Sequence, residues 1–210
     1  MPDFQTLMLF SIACLALTAT PGPDMLLIAS RSVSQGWSAG FASLAGIQAG
    51  TYIHAMAMAL GLSQLFLIVP LAYEIVRYVG AAYLLYLAIQ AFRSSGQPAS
   101  PATETQRYAA TKMFWQGLLT NLLNPKMVLF VLALFPQFVR PEAGSVAVQI
   151  LILATVLNLI GLLVNCIVIL MASRMGLMFA GRGRFRRASQ LFLGTVFAGL
   201  AVRLAFEDRR

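Results

Sequence analysis

Charge is what this chain lacks. Only 10% of its 210 residues are charged, where a soluble domain carries about 25%. Acidic residues are the scarcest, 7 Asp+Glu against 15 Lys+Arg. So little charge beside 59% hydrophobic residues excludes a soluble enzyme and a disordered chain. Cysteine is nearly absent too. Cys14 and Cys166 both lie inside apolar runs, which excludes a secreted disulfide scaffold. Both read as buried packing residues. With His54 the only histidine, a cysteine-rich metal site is excluded as well. The net charge of +8 would suggest nucleic acid in a soluble protein. Here the basic residues fall between apolar runs, the pattern of membrane loops. No nucleic-acid partner is expected, and the cluster from Arg182 to Arg187 reads as an anchor on anionic headgroups.

A helix crosses a bilayer with about 20 predominantly apolar residues. Six stretches qualify. They are Phe4 to Ser30, with Asp24 its one charge; Ser38 to Val69, uncharged; Leu71 to Phe92; Met113 to Val139, with Lys126; Ala143 to Met171; and Ala188 to Val202, extendable to about Phe206. The join near Pro70 is ill-defined. Nothing basic precedes the first stretch and no cleavage site leads into a soluble domain, so it is expected to remain as a span. Ser94 to Lys112, with Pro98 and Pro101, reads as a flexible linker. The chain thus divides into a three-helix half at 1–93, a linker at 94–112 and a second half at 113–210.

Orientation follows from the loop cations. Arg31, Arg93, Arg107, Lys112, Arg174, Arg182, Arg184, Arg186 and Arg187 lie on one side. Arg77, Arg140, Arg203, Arg209 and Arg210 lie on the other. Nine against five predicts a cytoplasmic linker and periplasmic termini. An offset of 102 residues also lays Leu17, Thr18, Pro23, Met25 and Leu27 on Leu119, Thr120, Pro125, Met127 and Leu129. Three spans per half place the two halves in opposite orientations. Inverted repeats of this kind mark secondary transporters, with the site between the halves.

Two motifs interrupt the spans. Pro21 and Pro23 around Gly22 each remove a backbone donor and clash with the turn before. The helix should break there and strip the carbonyls of Leu17 and Ala19 of their partners. A plain proline kink is the alternative reading. Asn124-Pro125-Lys126 is a helix-start signal inside an apolar span. It predicts a half-helix whose N-terminal N–H groups suit a carboxylate. The 102-residue offset sets Asp24 against Lys126, the two charges deep within spans. Intramembrane charges face a cavity or each other. They form either a structural ion pair or a substrate site, Lys126 taking a carboxylate and Asp24 an ammonium. In the second stretch, Gly46 and Gly50 permit close helix contact. Gln48, Thr51 and His54 share a helix face beside Tyr52. His54 reads as a proton relay or as a donor to a carbonyl. Asn121, Asn158, Asn165, Tyr83 and Tyr86 add further polar groups. The candidate substrate-binding set is Pro21, Gly22, Pro23, Asp24, Gln48, Tyr52, His54, Asn121, Asn124, Pro125 and Lys126.

These pieces together resemble the LysE/RhtB family of bacterial amino-acid exporters. They are Thr20-Pro21-Gly22-Pro23 with Arg31; Gly46-Ile47 and Gly50 with His54; Gly80-Ala81-Ala82-Tyr83-Leu84 with Tyr86-Leu87; Asn121-Leu122-Leu123-Asn124-Pro125-Lys126; and Phe135-Pro136-Gln137-Phe138. They cover both halves in order. Two departures stand out: Thr51, where many members carry an acidic residue, and Asp24, where many carry Asn. The resemblance implies export of an amino acid or close derivative across the inner membrane, driven by protons. The expected fold is an all-α integral membrane protein. It has six transmembrane helices in two inverted three-helix repeats, with helices one and four broken. No cofactor and no enzymatic activity are expected, and a monomer and a homodimer are both open. Two rivals are a divalent-metal exporter of the wider superfamily and a membrane thiol oxidoreductase. One Asp, one His and two separated Cys make a poor ligand set for the first. No nucleophile–base spacing supports the second.

Overall fold

The computed structural model describes residues 2–61, 70–94, 105–178 and 183–206. Among them the protein is all helical. Eight α-helices follow in order: α1 Phe4–Ala19, α2 Pro23–Gln35, α3 Trp37–Ala59, α4 Pro70–Ser94, α5 Thr105–Leu122, α6 Pro125–Phe138, α7 Val146–Met178 and α8 Gly183–Phe206. A 3-10 turn, Pro141–Ala143, leads into α7.

The breaks fall where proline dictates. α1 and α2 meet at a bend of 56°, and α5 and α6 at 54°. Pro23 and Pro125 each occupy the first turn of the helix after the break, where a missing N–H costs nothing. Asn124 caps α6, its side chain accepting from the Lys126 N–H at 3.1 Å. Gly36, with φ 85, turns α2 into α3 through the left-handed region that favours glycine. Among the described residues one unbroken helix, over Val146–Gly176, is long and apolar enough to cross a membrane, and each bent pair qualifies if it counts as one span. α7 is mostly apolar. Leu159, Leu163, Ile167 and Leu170 form an exposed stripe along it, as expected of a helix with lipid on one side.

Helix α2 lies at the centre. Its Ile28 packs with Leu44 and Ile47 of α3 and Ile169 of α7. Its Leu27 packs with Ala81, Leu84 and Leu87 of α4 and Phe197 and Ala201 of α8. A third core joins Phe10 and Cys14 of α1, Ala55 of α3, Val131 and Phe135 of α6, and Leu153 and Leu157 of α7. The closest approach is α3 on α5. A Cβ on Gly46 would stand 1.9 Å from the Phe114 carbonyl oxygen, and one on Gly117 would stand 2.0 Å from that of Ser43. The two backbones touch because neither glycine carries a side chain. At one end of the molecule, Arg140 pairs with Asp3 at 3.3 Å. The Thr6 N–H donates to the Asp3 carboxylate at 2.7 Å and holds it below its usual pKa.

Four boundaries differ clearly from expectation. α3 stops at Ala59, before a turn at Leu60 and Gly61 with φ 80 at the glycine, so this helix ends short of the Val69 expected for it. Residues 62–69 lie outside those described. α5 begins at Thr105, inside the stretch expected to be a linker. Gln106, Arg107, Ala109, Ala110 and Lys112 are good helix formers, so the helix propagates outward from the apolar segment. α7 continues past Met171 to Met178 and α8 begins before Ala188, because no proline or cap stops either one.

Candidate functional site

The break between α1 and α2 leaves carbonyls that the helix no longer pairs. Lys126, in the first turn of α6, supplies the donor. Its ammonium donates to the Leu17 carbonyl at 2.6 Å and to that of Thr20 at 2.7 Å. A cation at the C-terminal end of α1 also matches the helix dipole. The lysine stem lies against Gly22, where a Cβ would stand 3.8 Å from Nζ. One break is thus capped by the charge that the other break presents.

Asp24 lies in the first turn of α2, a position the helix dipole favours for an acid. Asn121 of α5 donates to its Oδ2 at 2.8 Å, while Oδ1 is buried without a partner. No Asp24–Lys126 ion pair forms within 4.0 Å. The structural ion pair that sequence left open is therefore absent. Each charge has neutral partners of its own.

A cavity of about 70 Å³ lies between the breaks. One water needs roughly 10–15 Å³, so the space holds a small solute. Gly22, Asp24, Gln48, Asn121, Asn124 and Lys126 line it. Five other candidates do not. Pro21, Pro23 and Pro125 shape the bends rather than the wall. His54 sits behind the wall, with Nε2 3.2 Å from the Asn121 carbonyl, the local hydrogen bond that was one of its two readings. Tyr52 faces away, its hydroxyl 3.1 Å from Thr155 of α7.

The lining also includes residues outside the candidate set, among them Thr18, Thr20, Thr51, Asn158, Gly161 and Asn165. Asn158 and Asn165 stand seven apart with Gly161 between. Seven residues are two helical turns, so the spacing puts both amides on one face of α7, and that was the signal available in sequence. Asn158 also clasps α3: its amide donates to the Gln48 carbonyl at 3.1 Å, and Gln48 donates back to the Asn158 carbonyl at 3.0 Å. Apolar Met25, Leu44, Ile47 and Leu157 complete much of the remaining wall.

The expected free N–H groups at the start of α6 are not free. Pro125 has none, Lys126 N is held by the Asn124 side chain, and Met127 and Val128 donate to the Asn124 carbonyl at 3.0 and 3.1 Å. The N-cap that marks the helix start in sequence is what consumes them. At α2 the cap is Gly22, which offers no side chain. The Leu26 N–H reaches the Gly22 carbonyl at 3.0 Å, and the N–H groups of Asp24 and Met25 have no such acceptor. The anion-friendly backbone end is therefore that of α2, beside Lys126.

Pro125→Ala is expected to lower transport without lowering the melting temperature. It removes the clash that bends α5 into α6 and frees Lys126 to leave the α1 carbonyls. Transport equal to that of the parent at matched expression would show that the bend has no part in the site.

Among the described residues no group of three His, Cys, Asp or Glu could hold a metal ion. Cys14 and Cys166 are both free, and Cys14 is packed into the core with Phe10 and Phe135.

The LysE type translocator family model matches residues 15–208. The homoserine/homoserine lactone efflux proteins of Salmonella typhimurium strain LT2 and Salmonella typhi are each 32% identical over 189 residues, 90% of this chain and 90% of theirs. An uncharacterized membrane protein of Pseudomonas aeruginosa is 30% identical over 207 residues, 97% of this chain and 94% of its own. No solved structure matches. A match over residues 15–208, nearly the whole chain, makes the conclusion plain: this protein belongs to the family of LysE type translocators.

Proposed function

We propose that this protein exports an amino acid or a close derivative, such as homoserine or its lactone, across the bacterial inner membrane by proton-coupled alternating access. The observation that carries the reading is one cavity lined by both helix breaks and by two intramembrane charges that leave each other unpaired. Unpaired opposite charges in a membrane interior are costly, and a zwitterion offers each of them a partner. The substrate carboxylate would lie between the Lys126 ammonium and the uncapped N–H groups of Asp24 and Met25. The substrate ammonium would lie against Asp24 and Asn121. The apolar wall of Met25, Leu44, Ile47 and Leu157 suits a short uncharged side chain. The efflux proteins to which the chain is similar are named for substrates of that size.

The architecture that goes with this is six spans in two inverted halves, 1–93 and 113–210, joined by a cytoplasmic segment at 94–112. Several observations support it. The two bends differ by only 2°, 56° against 54°, and each has proline just after it. The first helix of each half packs on the second long helix of the other, α1 on α7 and α5 on α3, while α4 packs on α8. Asp3 and Arg140 meet at one end, as an even number of crossings between them requires. The excess of loop cations on one side supports periplasmic termini. Single cysteines at 94–112 and beside Arg140 should then label from opposite faces. Labelling of the 94–112 segment by an impermeant reagent in intact cells would overturn the orientation.

The function itself is tested by efflux from proteoliposomes loaded with a panel of amino acids and their lactones. Homoserine-sized solutes should leave faster than from empty-membrane controls, and a proton gradient should drive them. A panel in which nothing moves overturns the reading.

A further inference from the structure

Arg31 stands seven residues after Asp24 on α2. Two helical turns put the two side chains on one face, about 10 Å apart along the axis. Arg31 is half-buried. No carboxylate among the described residues lies within 4.0 Å of it. Its side-chain partner is Gln90 of α4, whose Oε1 is 3.4 Å from Nη2, and its Nε is buried without an acceptor. The rest of the cluster is neutral. Gln116 of α5 donates to the same Gln90 oxygen at 2.9 Å. Gln90 donates to the Tyr86 hydroxyl at 3.2 Å, and the Tyr83 hydroxyl donates to the Gln116 carbonyl at 3.3 Å. Oε1 of Gln116 and Oγ1 of Thr120 are buried without partners. Thr120 adjoins Asn121 of the cavity, so cluster and cavity are neighbours on α5 as well as on α2.

A guanidinium held by a neutral amide, with its own Nε–H and the nearby Thr120 hydroxyl left as donors without an acceptor, is a cluster that suits an anion that is not part of the fold. We propose that Arg31 is a second binding point for the carboxylate of the transported molecule, two turns of α2 from the cavity. The proposal rests on the export reading and extends it from one site to a route. A guanidinium grips a carboxylate through two parallel N–H bonds, a geometry that lysine does not reproduce. A lactone or an amide has no carboxylate to grip and would pass Arg31 without it.

The test is efflux of homoserine and of its lactone from proteoliposomes holding the parent, Arg31→Gln or Arg31→Lys at matched protein. Loss of a charged hydrogen-bonding partner should lower homoserine efflux by about tenfold or more in Arg31→Gln, with lactone efflux held within about twofold. Arg31→Lys should fall between. The lactone reports that the variants are folded. Equal losses for both solutes, or no loss for either, overturn the proposal. The same ratio is expected in vesicles of zwitterionic lipid alone. A ratio that appears only with anionic lipid assigns Arg31 to phosphate headgroups and overturns it too. A parent protein that moves neither solute removes the export reading and this proposal with it.

Discussion

Replacing Lys126 with methionine is expected to abolish export and to lower the melting temperature. Methionine keeps most of the apolar stem and loses the charge. Two bonds are lost with it, those from Nζ to the carbonyls of Leu17 and Thr20 at 2.6 and 2.7 Å. A hydrogen bond to a charged group is worth roughly 1.5–3 kcal/mol. The freed carbonyls end α1 at a break, where no other helix bond reaches them. The substrate loses the cation that the described cavity wall presents. A lysine that only capped α1 would leave binding untouched wherever the variant is still folded. Calorimetric titration of the purified variant with the exported amino acid, below its melting temperature, separates the two roles. Binding within twofold of the parent would leave Lys126 as a helix cap alone.

Gly46→Ala is expected to give the largest loss of stability. Its Cβ would stand 1.9 Å from the Phe114 carbonyl oxygen and 2.7 Å from Leu118 N. Both are backbone atoms, and neither yields without moving α5 as a whole. Overpacking of this kind costs about 1–3 kcal/mol even where side chains can shift, so the cost here should lie at or above that range. Gly199→Ala is the control. Nothing lies within 4 Å of its Cβ, and an alanine there should be neutral or slightly stabilising. Gly50→Ala is expected to act differently. Its Cβ would meet the Asn121 side chain at 2.6 Å and push Asn121 off Asp24, so transport should fall further than stability. Melting temperatures in detergent, read beside flux, distinguish the three. A Gly46→Ala protein as stable as the parent would show that α3 and α5 are free to separate.

Much of this was legible in the sequence because proline and glycine act locally. Pro21, Pro23 and Pro125 stand at the helix breaks, and Asn124 caps the helix that starts behind it. Gly46 marks a close contact without naming the partner. What was not legible depends on how helices rotate about their axes. Asp24 and Lys126 correspond by register, yet Asn121 and the α1 carbonyls reach them before they reach each other. Tyr52 and Gln48 are four apart on α3, and the clasp with Asn158 turns Gln48 to the cavity while Tyr52 meets Thr155. Asn158 and Asn165 carry no charge, and a shared helix face alone does not set them above other membrane amides; the cavity does. The α6 N-terminus misled for a different reason. The residue that signals the helix start also satisfies its donors, so a strong capping signal argues against free N–H groups at that end.

An exported amino acid should occupy the cavity between the two breaks. Thr20 lines that cavity and is exposed, while Ser145 is exposed in the turn before α7. In a background with Cys14→Ala and Cys166→Ala, Thr20→Cys and Ser145→Cys can each be modified with a small thiol reagent, with and without homoserine. Homoserine should slow modification at Thr20→Cys in a saturable way and leave Ser145→Cys unchanged. Modification of Thr20→Cys at the same rate with and without a solute that the protein demonstrably exports would contradict the claim.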